Sequence, residues 1–257
     1  MQVLVTGATG RLGGVLVPAL LGAGHEVRAL SRQQQVSEQG ETWSVADIDS
    51  PCEALAAAVD GIEAIVHCAS NSPTAEATDV AGTGHLLDAA SEAGVGHLLY
   101  VSIVGIDAIH TPYYGAKLAA ERIVGGSPLR STILRTTQFH DLLREWLVAA
   151  ASGRAMLAGE LRFRPVDTLD VASRIAALLA AGPGGRARDL AGPEVLNGEQ
   201  MAQALAAATG GAVELASSED SPLAATFGGT AHLGDDNIDT GRVTFAQAVA
   251  RESWRPL

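Results

Sequence analysis

Two residues near the middle of the chain, Tyr113 and Lys117, have the types and the spacing for proton transfer. Four apart on a helix, they share one face about a turn from each other. An ammonium beside a phenol favours the phenolate and draws its pKa from about 10 towards neutrality. A tyrosine tuned in this way can donate a proton to a carbonyl oxygen as hydride arrives, or take one from an alcohol in reverse. The plainer alternative is a packing tyrosine, with Tyr114 its surplus neighbour.

Proton transfer of this kind needs a hydride source, and the first 32 residues are written to hold one. Val3, Leu4 and Val5 form a short apolar run that meets Thr6-Gly7, and the chain then turns through glycines at Gly7, Gly10 and Gly13. Leu12, Val15, Leu16, Ala19 and Leu20 follow at helical spacing, and a second apolar run (Val27, Ala29, Leu30) ends on Ser31-Arg32. Strand, glycine turn, helix, strand is the first half of a dinucleotide-binding βαβ unit. Gly7 permits the tight turn off the strand, Gly10 lets a pyrophosphate approach the backbone, and Gly13 lets the helix pack close to the sheet. The helix N-terminus offers unpaired N–H groups and partial positive charge to phosphate. With the glycines, Thr9, Arg11 and Leu12 complete the expected cofactor contacts of the turn. A glycine turn that merely joins a strand to a helix is the alternative.

The spacing is G-x-x-G-x-x-G, and Thr6 to Gly13 read TGATGRLG. Here the chain resembles the short-chain dehydrogenase/reductase superfamily, whose extended and atypical members carry TGATGxxG at this position. In NAD-preferring relatives the second strand ends in an acid that grips the ribose hydroxyls. Ser31 and Arg32 stand there instead, and a hydroxyl beside a cation suits a 2′-phosphate. Arg11 supplies a second cation, so the expected cofactor is NADP(H); solvated surface arginines are the alternative. The resemblance also makes Tyr113 and Lys117 the superfamily's Y-x-x-x-K pair, with Lys117 bonding the nicotinamide ribose.

Further positions follow from the same resemblance. Asp47, after the third strand (ETWSV, 41–45), matches an Asp beside the adenine; an N-cap for a helix starting near Pro51 is the alternative, a role open to Asp49 or Ser50 as well. Ala69 falls among the small residues that line the cofactor after the strand at 64–67, and His67 reads as a core histidine. A helix over 74–93 carries D-V-A-G-T-G-H-L-L-D-A-A, similar to the family's N-V-x-G-T-x-x-L-L-x-A-A. The departure is Asp79, where relatives carry an Asn that holds a water in a proton relay, and it puts that relay in question. His97 to Val101 reads as a central parallel strand covered on both faces. Ser102, at its end, either polarises the substrate carbonyl or closes the strand, and it lies 11 residues before Tyr113 (113 − 102). The strand at 131–135 leads into Thr136, Thr137 and Phe139, a stretch resembling one that passes over the nicotinamide. Thr136, Thr137 and Phe139 are therefore candidates for its wall, His140 either faces the substrate or is a helix-start histidine with no fixed partner, and Trp146 is a packing residue.

Towards the C-terminus the pattern is coarser. Asp170 resembles a carboxylate that caps a helix, 187–191 reads as a strand, and 198–209 as a helix with Asn197 as its N-cap. Residues 216–241, rich in Ser, Gly, Asp and Thr, read as a mobile lid or a loose connection.

Composition narrows the class. Of 257 residues, 47% are apolar and 18% charged, as in a globular protein, and only 4% are aromatic, so helices must pack through small side chains. A net charge of −12 argues against nucleic acid or an anionic membrane surface as partner. No apolar run approaches a membrane span, no charged-then-apolar leader opens the chain, and Cys52 and Cys68 suggest no metal. The expected compartment is a reducing cytoplasm.

The expected fold is thus α/β: a doubly wound parallel sheet in one Rossmann-type domain over 1–257, with a small substrate-covering portion from about 137 to 257. The resemblance is to the atypical, NmrA-like branch of the short-chain dehydrogenases. It implies an NADPH-dependent reductase of a carbonyl or quinone in a small, fairly apolar molecule, using Tyr113, Lys117 and Ser102. The alternative is a non-catalytic NADP(H)-sensing regulator acting through a protein partner. A sugar-nucleotide epimerase fits less well, because no basic cluster stands ready for a diphosphate. The oligomeric state stays open.

Overall fold

The computed structural model of the chain describes residues 1–150 and 156–251. In chain order the elements are β1 (Gln2–Thr6), α1 (Gly13–Gly22), β2 (Glu26–Ser31), β3 (Thr42–Val45), α2 (Glu53–Val59), β4 (Ala64–His67), α3 (Gly82–Glu92), β5 (His97–Ile103), α4 (Pro112–Gly126) and β6 (Ser131–Thr136). There follow α5 (His140–Ala150), β7 (Arg162–Phe163), α6 (Thr168–Ala181), β8 (Gly185–Arg186), β9 (Leu190–Ala191), β10 (Leu196–Asn197), α7 (Gly198–Thr209), α8 (Ala224–Phe227), β11 (Asp239–Thr240) and α9 (Phe245–Val249). They fall into two compact units. The first comprises Met1–Ser102, Pro112–Leu134 and Ala172–Ala187; the second comprises the described residues of Ile103–Thr111, Arg135–Val171 and Arg188–Leu257.

In the first unit the strands run β3-β2-β1-β4-β5-β6. The pairs β1·β2, β2·β3, β1·β4 and β4·β5 are parallel, and β8 adds in parallel at Thr132 and Ile133 of β6. Helices cover a mostly parallel sheet, the Rossmann-like arrangement. Val3, Leu4, Val5 and all of β4 are buried, as continuous apolar strands must be when both faces are covered. Leu4, Ile65, Leu86 and Leu98 share one core, fully buried, where truncation to Ala costs about 2–5 kcal/mol each. The chain winds one way from β1 to β3 and the other way from β4 to β6. That reversal opens a crevice at the carboxyl ends of β1 and β4, where such sheets bind ligands.

The helix expected over 74–93 is not uniform. A 3₁₀ turn (Ser72–Thr74) leads into a π-helical stretch, Glu76–Ala81, before α3 begins. The Gly82 N–H bonds the Ala77 carbonyl five residues back, and the wider turn lets the adjacent Thr78 and Asp79 both point inwards. The sequence pattern alone reads as plain α-helix. At α2, neither Asp49 nor Ser50 is the cap. Cys52 takes that position without a side-chain bond, while Asp47 Oδ1 accepts the Asp49 N–H at 3.0 Å.

In the second unit Thr136, at the end of β6, pairs with Leu190 of β9, β9 pairs with β11, and β7 pairs with β10. Asn197 does open α7, in a reciprocal capping box with Gln200, and Gly210 closes it at φ 74°. Asp170 is structural but not the cap. Its Oδ2 accepts the N–H groups of Arg242 and Val243, whereas Asp167 Oδ1 accepts the Leu169 N–H in the first turn of α6. Residues 216–241 contain α8 and a 3₁₀ turn at Ala231–Leu233. They bury Phe227 and His232 against Phe163, with Trp146 also stacked on Phe163 and Phe227. Within this largely exposed stretch Ser221, Phe227, His232, Leu233 and Ile238 are buried. The strand expected over 187–191 is reduced to Leu190–Ala191. His140 is not partnerless: its Nδ1 lies 3.2 Å from Asp167 Oδ2. Of the portion expected to cover substrate, residues 151–155 and 252–257 lie outside the described residues. Among the described residues no helix is long and apolar enough to cross a membrane.

Candidate active site

The glycine turn is built by contacts that exclude larger side chains. Gly7 has φ 65°, and a Cβ there would lie 2.7 Å from Ala69 N. Gly10 N–H closes the turn onto Gly7 O at 2.9 Å. A Cβ on Gly13 would meet Gly7 O at 2.2 Å and Ala8 Cα at 2.6 Å, so the start of α1 packs directly on the turn that follows β1.

A cleft opens above this turn, within the first unit. Of the residues singled out in the sequence, Gly7, Thr9, Gly10, Ser31, Arg32, Asp47 and Ala69 all line it. Gly13 and Leu12 are buried beneath it, and Arg11 is half-buried in the turn. Cys68 and Ser70, in the small-residue stretch that follows β4, line it as well. Thr6, Leu30, Ala46, Ile48, Asp49 and Asn71, at or after strand ends, and Thr78, in the π-helical stretch, complete the lining, and no motif marks them. Thr136 and Phe139 belong to the second unit.

Behind the cleft a chain of buried hydrogen bonds fixes the loop after β4. Thr6 Oγ1 accepts the N–H groups of Cys68 and Ala69, each at 3.2 Å, and lies 2.7 Å from His67 Nδ1. His67 Nε2 is 3.0 Å from Thr83 Oγ1, whose hydroxyl donates to the Asp79 carbonyl. Thr83 must therefore accept from Nε2–H, which leaves Nδ1 as an acceptor for the Thr6 hydroxyl. Burial, seconded by the Lys117 charge, lowers the His67 pKa to about 3, so it is a neutral core histidine. Burial likewise pushes the Cys68 thiol up to about 12.

The Tyr113–Lys117 pair sits on α4, as its spacing predicts. Tyr113 is half-buried, and its hydroxyl lies 2.9 Å from Ser70 Oγ, in the cleft wall. Ser70, and not Ser102, is the hydroxyl that meets it. Ser102 Oγ is buried, the residue being 1% exposed, and has no hydrogen-bond partner among the described residues. The Lys117 ammonium donates to Val101 O at 3.0 Å, lies 3.4 Å from Asp79 Oδ1, and sits 4.3 Å from the centroid of the Tyr100 ring. The ammonium thus makes one hydrogen bond, one ion pair and one ring contact within the chain.

That arrangement reverses the expected tuning. Burial raises the Tyr113 pKa above its ordinary value; Lys117 and the Ser70 hydrogen bond pull down, while Asp79 and Tyr100 push up. The outcome is a phenol, not a phenolate. Asp79 is fully buried, its Oδ2 accepts the Asn71 N–H at 3.2 Å, and its Oδ1 meets Lys117 without hydrogen-bond alignment.

The family described as NAD(P)H-binding matches residues 7–181. The chain is 27% identical over 184 residues to the photosystem II assembly factor Ycf39 of Cyanophora paradoxa, a match covering 67% of this chain and 57% of that one. It spans about half the length of the curated relatives it matches. Two solved structures share its fold. The Citrobacter sp. triphenylmethane reductase complexed with NADP(H) has a TM-score of 0.78 at 21% identity, over 96% of this chain and 98% of that one. The NADPH-dependent quinone oxidoreductase QOR2 of Escherichia coli, complexed with NADPH, has a TM-score of 0.77 at 23% identity, over 96% and 98%. With the glycine turn, the crevice at the strand reversal and a family match over most of the sequence, the chain belongs to the family described as NAD(P)H-binding.

Proposed function

We propose that this protein is an NADPH-dependent reductase that delivers a proton from Tyr113 to a carbonyl or quinone oxygen of a small, fairly apolar molecule. The observation that carries this reading is the 2.9 Å contact between the Tyr113 hydroxyl and Ser70 Oγ. It puts the one half-buried phenol of α4 at the wall of the dinucleotide cleft.

The cleft fits the cofactor. Gly7 and Gly10 line it with little side-chain bulk, and on this reading Asp47 takes the adenine while Ser31 and the exposed Arg32 take the 2′-phosphate. When bound, NADPH supplies the hydride. The chain's own part is to hold a proton on Tyr113 Oη, release it as negative charge gathers on the substrate oxygen, and replace it from solvent through the exposed Ser70. Lys117 holds the end of β5 through Val101 O. Ser102, with its unpartnered hydroxyl, is the second candidate for the substrate oxygen.

The test is NADPH consumption, followed by absorbance, across a panel of ketones, quinones and polyketide-like aromatics, for the wild type and for Tyr113→Phe. The reading expects turnover that collapses in the variant. Turnover that survives would move the proton donor elsewhere.

The engagement of Lys117 by Val101, Asp79 and Tyr100 favours a second reading, an NADP(H)-sensing regulator that binds the dinucleotide without turning it over. Ycf39, a curated relative, is named an assembly factor, in keeping with this alternative. Tight NADPH binding with no turnover on any compound would select it.

A further inference from the structure

Lys117 and Asp79 form a buried ion pair 38 residues apart (117 − 79), joining α4 to the π-helical stretch, with side chains 4% and 0% exposed. A lysine placed to lower the pKa of a neighbouring phenol works through its net positive charge. Here that charge meets a carboxylate in a region of low dielectric, where the pair acts on a third group as a dipole and not as a cation. The carboxylate is itself held in place. Its Oδ2 takes the N–H of Asn71, next in sequence to the Ser70 that bonds Tyr113, and its own backbone carbonyl takes the Thr83 hydroxyl at the end of the Thr6–His67–Thr83 chain. Asp79 therefore reports to both halves of the site through the loop after β4.

Resting on Tyr113 as the proton donor, we propose that Asp79 is a positioning residue that offsets part of the Lys117 charge and so, together with burial, holds Tyr113 in its protonated form and favours reduction. The proton leaves Tyr113 Oη for the product oxygen and returns from solvent at Ser70, and the hydride comes from the nicotinamide cofactor. The reverse reaction needs a standing phenolate, which Lys117 supports less strongly when it is paired with Asp79. The groups facing this pair are Tyr100 of β5, His67 at the end of β4 with Cys68 after it, Ser70 and Asn71 in the following loop, and Glu121 on α4, which acts on Tyr100. His67 is neutral, and burial with the Asp79 and Glu121 charges raises Tyr100 well above the ordinary tyrosine range, so Asp79 is the group that decides the balance at Lys117.

The test is a spectrophotometric titration of the free protein, without substrate, read as phenolate absorbance. The chain has three tyrosines, so the difference between each form and its Tyr113→Phe counterpart isolates Tyr113. Asp79→Asn keeps the size of the side chain and an oxygen for the Asn71 N–H. The expected result is a midpoint for Tyr113 lower by about one pH unit or more in Asp79→Asn. The same comparison is made in a Lys117→Met background, where Asp79 has no ammonium to offset, and there the shift on removing Asp79 is expected to be smaller. No shift with Lys117 present, or an equal shift without it, overturns the proposal. Because no turnover is needed, this outcome is independent of whether any compound in the reductase panel is reduced.

Discussion

Ser70 Oγ and the Tyr113 hydroxyl stand 2.9 Å apart across 43 residues of sequence, and Ser70 is the member of the pair that also lines the dinucleotide cleft. Ser102, at the end of the fifth strand, is buried. Ser70→Ala is expected to slow carbonyl reduction about tenfold, the worth of one hydrogen bond of about 1.4 kcal/mol in the transition state. Since that bond lowers the Tyr113 pKa, the phenol in the variant should titrate at higher pH. Steady-state kinetics over a pH series checks both, and a Ser102→Ala variant with the larger loss would transfer the role.

Gly13 and Gly14 are adjacent but have opposite tolerances. A Cβ on Gly13 strikes Gly7 O at 2.2 Å, whereas one on Gly14 meets nothing within 4 Å. Gly13→Ala is expected to lose NADPH affinity and about 1–3 kcal/mol of stability through overpacking of the turn. Gly14→Ala, in the first turn of α1, should gain about 0.5–1 kcal/mol by helix propensity. Urea denaturation midpoints separate the two.

His67 makes stability depend on pH in a definite direction. Its folded-state pKa, about 3, lies below the unfolded value of 6.5. Between these values the unfolded chain binds the proton and the folded chain does not, so stability falls as the pH drops from about 6.5 towards 3. The slope from this residue approaches 1.4 kcal/mol per pH unit. Urea unfolding at pH 7.5 and at pH about 5.5 should show wild type losing more stability on acidification than His67→Gln, whose amide does not titrate.

Arg32 is exposed at the cleft edge beside Ser31. Arg32→Asp should reverse the cofactor preference, because a carboxylate repels a 2′-phosphate and accepts from ribose hydroxyls. The expected loss of NADPH affinity is about tenfold or more, with a gain for NADH. Equilibrium binding of the two dinucleotides measures it, and an unchanged ratio would remove Arg32 from the phosphate site.

The features readable from the amino-acid sequence are those whose physics is local. Gly7 and Gly13 mark a turn because a positive φ and a 2.2 Å approach reject any side chain, and both constraints act within seven residues. Asn197 and Gln200 cap α7 across three residues, and Tyr113 and Lys117 share α4 across four. The apolar runs of β1, β4 and β5 declare a sheet covered on both faces, because uninterrupted burial leaves no polar side to write.

What only the tertiary structure decided is which distant groups meet and how dry they are. Ser70 reaches Tyr113, Asp79 reaches Lys117, and Thr6 reaches His67 across 61 residues, and no periodicity encodes such meetings. Burial, with Asp79 as an opposing charge, outweighs the lowering by Lys117 and by the Ser70 hydrogen bond, so the Tyr113 pKa lies above its ordinary value and not below it. A charge acts through separation and dielectric, neither of which is written in a four-residue interval, and burial with one opposing carboxylate is enough to keep the phenol protonated.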